Sequence, residues 1–206
     1  EPTLLILRVF ALGRRSEILF DAVTRYWRHI GKVRLIAGPD LALATLAPHQ
    51  FLAFVSGRLG QLFIRDAAAM DRQLAASDNR RDRDGRFRID DHFCHADTWQ
   101  GVLSRLVKHT DRVLMDLRSF SAGNAGCVFE IKELLNTVPL QCLVFVIDDT
   151  TNRALLKQTL ETSWREMRAD SPNLGATLSE VQPFQLKSSG QHEIQRLMRR
   201  LCETAG

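Results

Sequence analysis

The sequence predicts an α/β fold, a three-layer, doubly wound domain built on a mainly parallel sheet of five strands. Three observations predict it. Short apolar runs with little alternation, such as Leu4-Leu5-Ile6-Leu7 and Leu143-Val144-Phe145-Val146-Ile147, have the character of strands covered on both faces. The segments between them carry apolar residues at helical spacing. The two kinds of segment alternate along most of the chain, and right-handed crossovers wind such an alternation into an open sheet with helices on both sides.

Residues 4–10 form the first expected strand. Ser16 is placed to cap a helix running to about residue 29, with Ile18, Leu19, Ala22, Val23, Tyr26 and Trp27 as its apolar stripe and Gly31 as its stop. Val33 to Ala37 make the second strand, closed by the turn-forming Gly38-Pro39. From 40 to about 76 the pattern is mainly helical, and 77–91 is dense in alternating charge, as in a solvated loop or hairpin tip. Residues 40–95 therefore read as a helical and charged insertion after strand two, inside a single domain of 1–206. The alternation then resumes with a helix at 97–109, a strand at 113–117, a helix at 126–136 and a strand at 142–147. A helix at 151–167, an edge strand at 181–186 and a closing helix at 191–202 complete the chain.

Bulk properties narrow the function. Twenty-eight Lys and Arg against 24 Asp and Glu give a net charge of +4, spread without a basic stripe, so nucleic acid is not an expected partner. Cys94, Cys127, Cys142 and Cys202 are far apart, as reduced thiols of a cytoplasmic protein would be. The stretch 46–64 is broken by Pro48, His49, Gln50, Arg58 and Gln61 and is not expected to span a bilayer. A chain that opens on Glu1 directly before a strand reads as an excised domain, and an upstream region could tether it to the cytoplasmic face of a membrane.

Neither Gly-x-Gly-x-x-Gly after the first strand nor Gly-x-x-x-x-Gly-Lys-Ser/Thr occurs, so dinucleotide-binding Rossmann and P-loop chemistry lack their phosphate cradles. Arg8-Val9-Phe10-Ala11 also lacks the acidic residues of a phosphoacceptor site. In a doubly wound sheet, ligands bind beyond the carboxyl ends of the strands, which directs attention to the loops after Phe10, Ala37, Leu117 and Ile147.

Residues 97–131 carry the chemistry: a helix, Thr110-Asp111, the strand to Leu117, Ser119-Phe120-Ser121, and Gly126-Cys127-Val128-Phe129-Glu130. This stretch resembles the TIR (Toll/interleukin-1 receptor) domain family, in which a buried strand and a Ser-rich loop lead to a Trp-Cys-x-x-Glu helix. Cys127 to Glu130 match the Cys-x-x-Glu part, and Gly126 stands in place of the tryptophan. The order of elements agrees from about 3 to 204 and implies a flavodoxin-like, TIR-like sheet. The stretch is also similar to nucleoside deoxyribosyltransferases, through Asp116 and the Gly126-to-Glu130 run.

Both families break or exchange an N-glycosidic bond. The resemblance thus implies hydrolysis of NAD or a related nucleotide, in signalling or defence, with the nucleotide as substrate and no prosthetic group. Glu130 would be the essential carboxylate, stabilising or attacking an oxocarbenium-like C1. It lies roughly 100° from the centre of the stripe Cys127, Ile131, Leu134, Leu135 and Val138, at the flank of its helix, where the helix dipole would favour its ionised form. The plain alternative is a surface glutamate early in a helix.

Arg14, Arg15 and Ser16 could present two cations and a helix N-terminus to a pyrophosphate, and Ser119 and Ser121 fall where the loop serines of the family stand. Solvated arginines are the plain alternative. Phe10 and Trp99 fit either a stacking or a core role. The run from Asp90 to Asp97 lacks zinc-finger spacing, so no metal site is expected, and Cys127 has no adjacent histidine to make it a nucleophile. Two other functions fit the same residues. One is a non-catalytic TIR-like module acting through self-association or other TIR-like domains; the other is a nucleoside transferase or nucleotide sensor.

Overall fold

Strands covered on both faces must lie at the centre of the molecule, and the computed structural model, which describes residues 1–9, 14–37, 63–76, 80–95 and 97–203, places them there. The strands are β1 Thr3–Arg8, β2 Lys32–Ala37, β3 Phe63–Ile64, β4 Ile89–Cys94, β5 Arg112–Asp116, β6 Leu143–Ile147 and β7 Phe184–Gln185. They form one parallel sheet in the order β3-β4-β2-β1-β5-β6-β7. Six helices accompany them among the described residues: α1 Arg14–Trp27, α2 Ala67–Ala76, α3 Trp99–Leu106, α4 Ala125–Thr137, α5 Arg153–Arg165 and α6 Gln191–Cys202. The architecture is flavodoxin-like in character.

Alternation along the strands sorts the core into two layers. Leu5, Leu7, Val113 and Met115 face α2, α3, α4 and α5, through Met70, Leu103, Ile131 and Leu156 among others. Leu4, Ile6, Leu114 and Val144 face α1 and α6, through Leu19, Val23, Ile194 and Leu197. The two helix sets therefore lie on opposite faces of the sheet.

Among the described residues the sheet has seven strands where five were expected, because the 40–95 segment supplies β3 and β4. Asp90, Asp91 and His92 conceal β4 from a hydrophobicity reading; only His92, Phe93 and Cys94 of that strand are fully buried. The charged stretch does form a loop at 80–88, held by the Arg28–Asp82 and Arg88–Asp82 ion pairs and turned at Gly85, whose φ of 77° suits glycine. Residues 38–62, including most of the expected helical segment, and Phe10 lie outside the described residues.

Ser16 is not a cap. The helix begins at Arg14, and Ser16 is fully buried on its inner side with its hydroxyl turned to β5. Gly31 ends the turn after α1 because nothing larger fits: a Cβ there would lie 1.9 Å from the Pro2 carbonyl oxygen. Helix α5 starts two residues later than expected, where the Asn152 side chain accepts a hydrogen bond from the Leu155 amide. The edge strand shrinks to two residues beside Pro183, whose ring nitrogen has no hydrogen to donate.

Candidate functional site

From β1 the chain winds outward to β2 on one side, and it later resumes at β5 on the other, so the winding reverses between β1 and β5. A crevice at the carboxyl ends of those strands is the expected ligand position in such a sheet. Asp116 closes β5 there and is completely buried. Its Oδ1 accepts from Arg118 Nε at 2.8 Å and from the Arg118 amide at 3.2 Å, and its Oδ2 accepts from Arg118 Nη2 at 2.7 Å and the Ser16 hydroxyl at 3.2 Å. Four donors thus satisfy both oxygens of one buried carboxylate, in place of the water that burial removes. Arg118, only 3 % exposed, also donates from Nη2 to the Arg15 carbonyl, which ties the loop after β5 to the start of α1.

The loop after β6 joins the same network. Asp148 accepts from Arg15 Nη2 and from both the amide and the hydroxyl of Thr150. Burial works against ionisation of Asp148, but the Thr150 hydrogen bonds and the Arg15 charge hold its carboxyl below the ordinary value. Thr151 donates its hydroxyl to the Leu117 carbonyl, and Thr150 Oγ1 accepts the Ser119 amide at 3.0 Å. Ser119 itself has a φ of 58°, a left-handed conformation that the cross-brace to Thr150 helps to maintain.

The expected site residues divide. Arg15, Ser16 and Ser119 belong to this network. Arg14 opens α1, and its side chain lies outside the described residues. Ser121 is exposed, and its amide and hydroxyl both go to Asn124 Oδ1 just ahead of α4. Glu130 projects from α4, on the opposite face of the sheet from Arg15 and Ser16.

Glu130 is neither a surface residue nor an ionised one at rest. It is 2 % exposed, and its Oε2 has no hydrogen-bond partner. Burial pushes its carboxyl up to about 8, against a smaller opposing effect of a hydrogen bond with Cys127. The expectation that the helix dipole keeps it charged fails because no acidic residue lies in the first turn of α4. At the sixth position, desolvation outweighs a field that fades within one turn. The neighbouring Cys127 thiol is itself pushed far up by burial and by Glu130, which leaves it unreactive.

Gly126 is packed in a way its sequence position does not reveal. Ring carbons of Trp99 lie 3.6 and 3.7 Å from where a Cβ at 126 would sit, and the same indole meets Phe129 edge-on at 5.4 Å. An indole from α3 thus covers the start of α4 at Gly126, and Trp99 has a packing role.

Two cavities flank the β6–β7 margin. One, of about 120 Å³, is lined by Arg15, Arg118, Asp148, Lys187, Ser188 and Ser189, from the start of α1 and the segments that follow β5, β6 and β7. The other, of about 540 Å³, is a groove between α5 and β7 with Leu156, Leu160 and Val181 in its wall beside Arg153 and Lys157. Its walls come from the edge of the sheet, away from the switch point, and Glu130 lines neither cavity.

Arg118, Asp148 and Lys187 are absent from the sequence-based set. Arg118 had a signal: Asp116-Leu117-Arg118 ends an apolar run with opposite charges two residues apart. Among the described residues no group of three His, Cys, Asp or Glu side chains is placed to hold a metal. The buried His92 of the acidic run is held uncharged, burial depressing its ring to about 4. No helix of the described residues is long and apolar enough to cross a membrane. No protein-family model, curated protein or solved structure matches the chain.

Proposed function

We propose that this chain is a TIR-like domain that hydrolyses the N-glycosidic bond of NAD or a related nucleotide, with Glu130 as its essential carboxyl group. One observation supports this above the others: Glu130 is buried to 2 % exposure with an oxygen left unpartnered, a costly state that concentrates at functional sites. At rest it holds its proton. A nicotinamide ribosyl cation beside it would favour loss of that proton, and the resulting carboxylate would stabilise positive charge at C1. The C1–N bond breaks with its electron pair leaving on neutral nicotinamide; water then attacks C1 and gives up a proton.

The test is release of free nicotinamide from NAD by purified protein at high concentration, for wild type and Glu130→Gln across pH 6–9. Wild type should release nicotinamide faster as pH rises towards about 8, where half of Glu130 ionises, and the variant should lose about 100-fold or more. Equal rates in the two proteins would remove Glu130 from the chemistry.

A second reading is a non-catalytic TIR-like module acting through self-association or another TIR-like domain. It is favoured by Ile18 and Tyr26, which leave 49 % and 38 % of their surface exposed on α1, and by the absence of Glu130 from the two crevices. Concentration-dependent oligomers without nicotinamide release would support it, and a monomer at all concentrations would count against it.

A further inference from the structure

The small crevice beside Asp116 is built for an anion. Arg15, Arg118 and Lys187 bring three positive charges, and Asp116 and Asp148 answer two of them, leaving one uncompensated. Arg118 is fixed by Asp116 and the Arg15 carbonyl through Nε and Nη2, and its Nη1 has no partner among the described residues. A guanidinium 3 % exposed with a free donor edge on a cavity is an oriented receptor, because its rotamer is already paid for by other bonds.

A helix begins just beyond the residues that line it. Helix α6 starts directly after Lys187-Ser188-Ser189-Gly190, and no side chain caps its N-terminus. Its first amides are free to donate, and the helix dipole adds partial positive charge. The Glu193 carboxylate in that first turn accepts from the Lys187 amide and is paired with Arg196 at 2.7 Å, so it does not cancel Lys187.

We infer that this crevice is a binding subsite for a single phosphoryl group, held by the side chains of Arg15, Arg118 and Lys187 and the hydroxyls of Ser188 and Ser189. Its volume of about 120 Å³ equals roughly four water molecules at ~30 Å³ each. That accommodates a phosphoryl group, whereas a whole nucleotide needs a pocket of about 300 Å³ or more. The rest of any larger ligand must lie outside. The subsite stands whether or not Glu130 cleaves a nucleotide, since the two lie on opposite faces of the sheet.

Calorimetric titration with inorganic phosphate, AMP and adenosine tests it. Phosphate and AMP should bind and adenosine should not. Lys187→Ala, a change at an exposed side chain, should weaken both by about tenfold, as should Arg15→Ala, while Lys187→Arg should restore most of the affinity. Both orders of affinity support the subsite: tighter binding of AMP marks a phosphomonoester as the source, and equal affinity marks the free anion. Failure of both to bind at millimolar concentration, equal binding of AMP and adenosine, or affinities unchanged in both alanine variants would overturn it. Circular dichroism matching wild type keeps an unfolded variant from being read as a loss of binding, and nicotinamide release by the same variants is scored separately.

Discussion

Replacing Glu130 by glutamine should change how stability depends on pH more than stability itself. In the folded chain the carboxyl keeps its proton up to about 8, whereas an unfolded chain releases it near the ordinary 4.5. Between those values the unfolded state binds fewer protons, so the folded state loses ground as pH rises, by at most ~1.4 kcal/mol for each pH unit. The penalty is absent below 4.5 and complete above about 8, which bounds it at roughly 5 kcal/mol. Glutamine keeps a similar shape and cannot ionise, so its own unsatisfied amide costs the same at every pH. Urea unfolding of both proteins at pH 5, 6, 7 and 8 isolates the difference. The variant should gain on wild type by ~2–4 kcal/mol between pH 5 and 8, a large share of a typical domain's stability. A difference that stays flat over that range, or a carboxyl carbon that titrates near 4.5 in the folded protein by NMR, would refute the burial argument.

Arg118→Met leaves the Asp116 carboxylate in a site with no exposure and only two of its four donors, and should cost about 3–5 kcal/mol in urea unfolding. Adding Asp116→Asn to that variant should recover at least half, because no uncompensated charge then remains. Gly126→Ala should raise the melting temperature, since the new methyl meets Trp99 at an ordinary 3.6 Å and alanine is favoured over glycine in a helix by up to ~1 kcal/mol. Gly126→Trp, which puts a second indole against Trp99, should instead lose ~1–3 kcal/mol by displacing the Trp99 indole, and thermal melts distinguish the two.

The central strands were legible because their burial is written locally. β1, β5 and β6 are each apolar over at least four residues in succession or with one interruption, and their helices follow at the expected places. β3 and β4 were not legible: two residues make no pattern, and three polar positions in β4 resemble a loop. The site shows the same division. Glu130 was picked out by its motif, but its burial was not foreseen, because α4 has neighbouring helices on two sides as well as the sheet beneath it. A helix so enclosed buries far more than one stripe, and Glu130, Glu133 and Asn136 all go inside with the apolar residues. The Arg15–Asp148 bridge joins residues 133 positions apart, and no local pattern announces such a partner.

The place of β1 in the sheet also sets a timetable for synthesis. Leu4 pairs with Lys32's neighbour Val33 on one side but with Arg112 on the other. The first half of that bond pattern can close as soon as α1 and β2 have emerged. The second must wait until β5 leaves the ribosome, at ~5–20 residues per second some several seconds later. Until then the nascent chain carries an open, greasy strand border in its middle, the kind of edge to which molecular chaperones and stray β-strands are drawn.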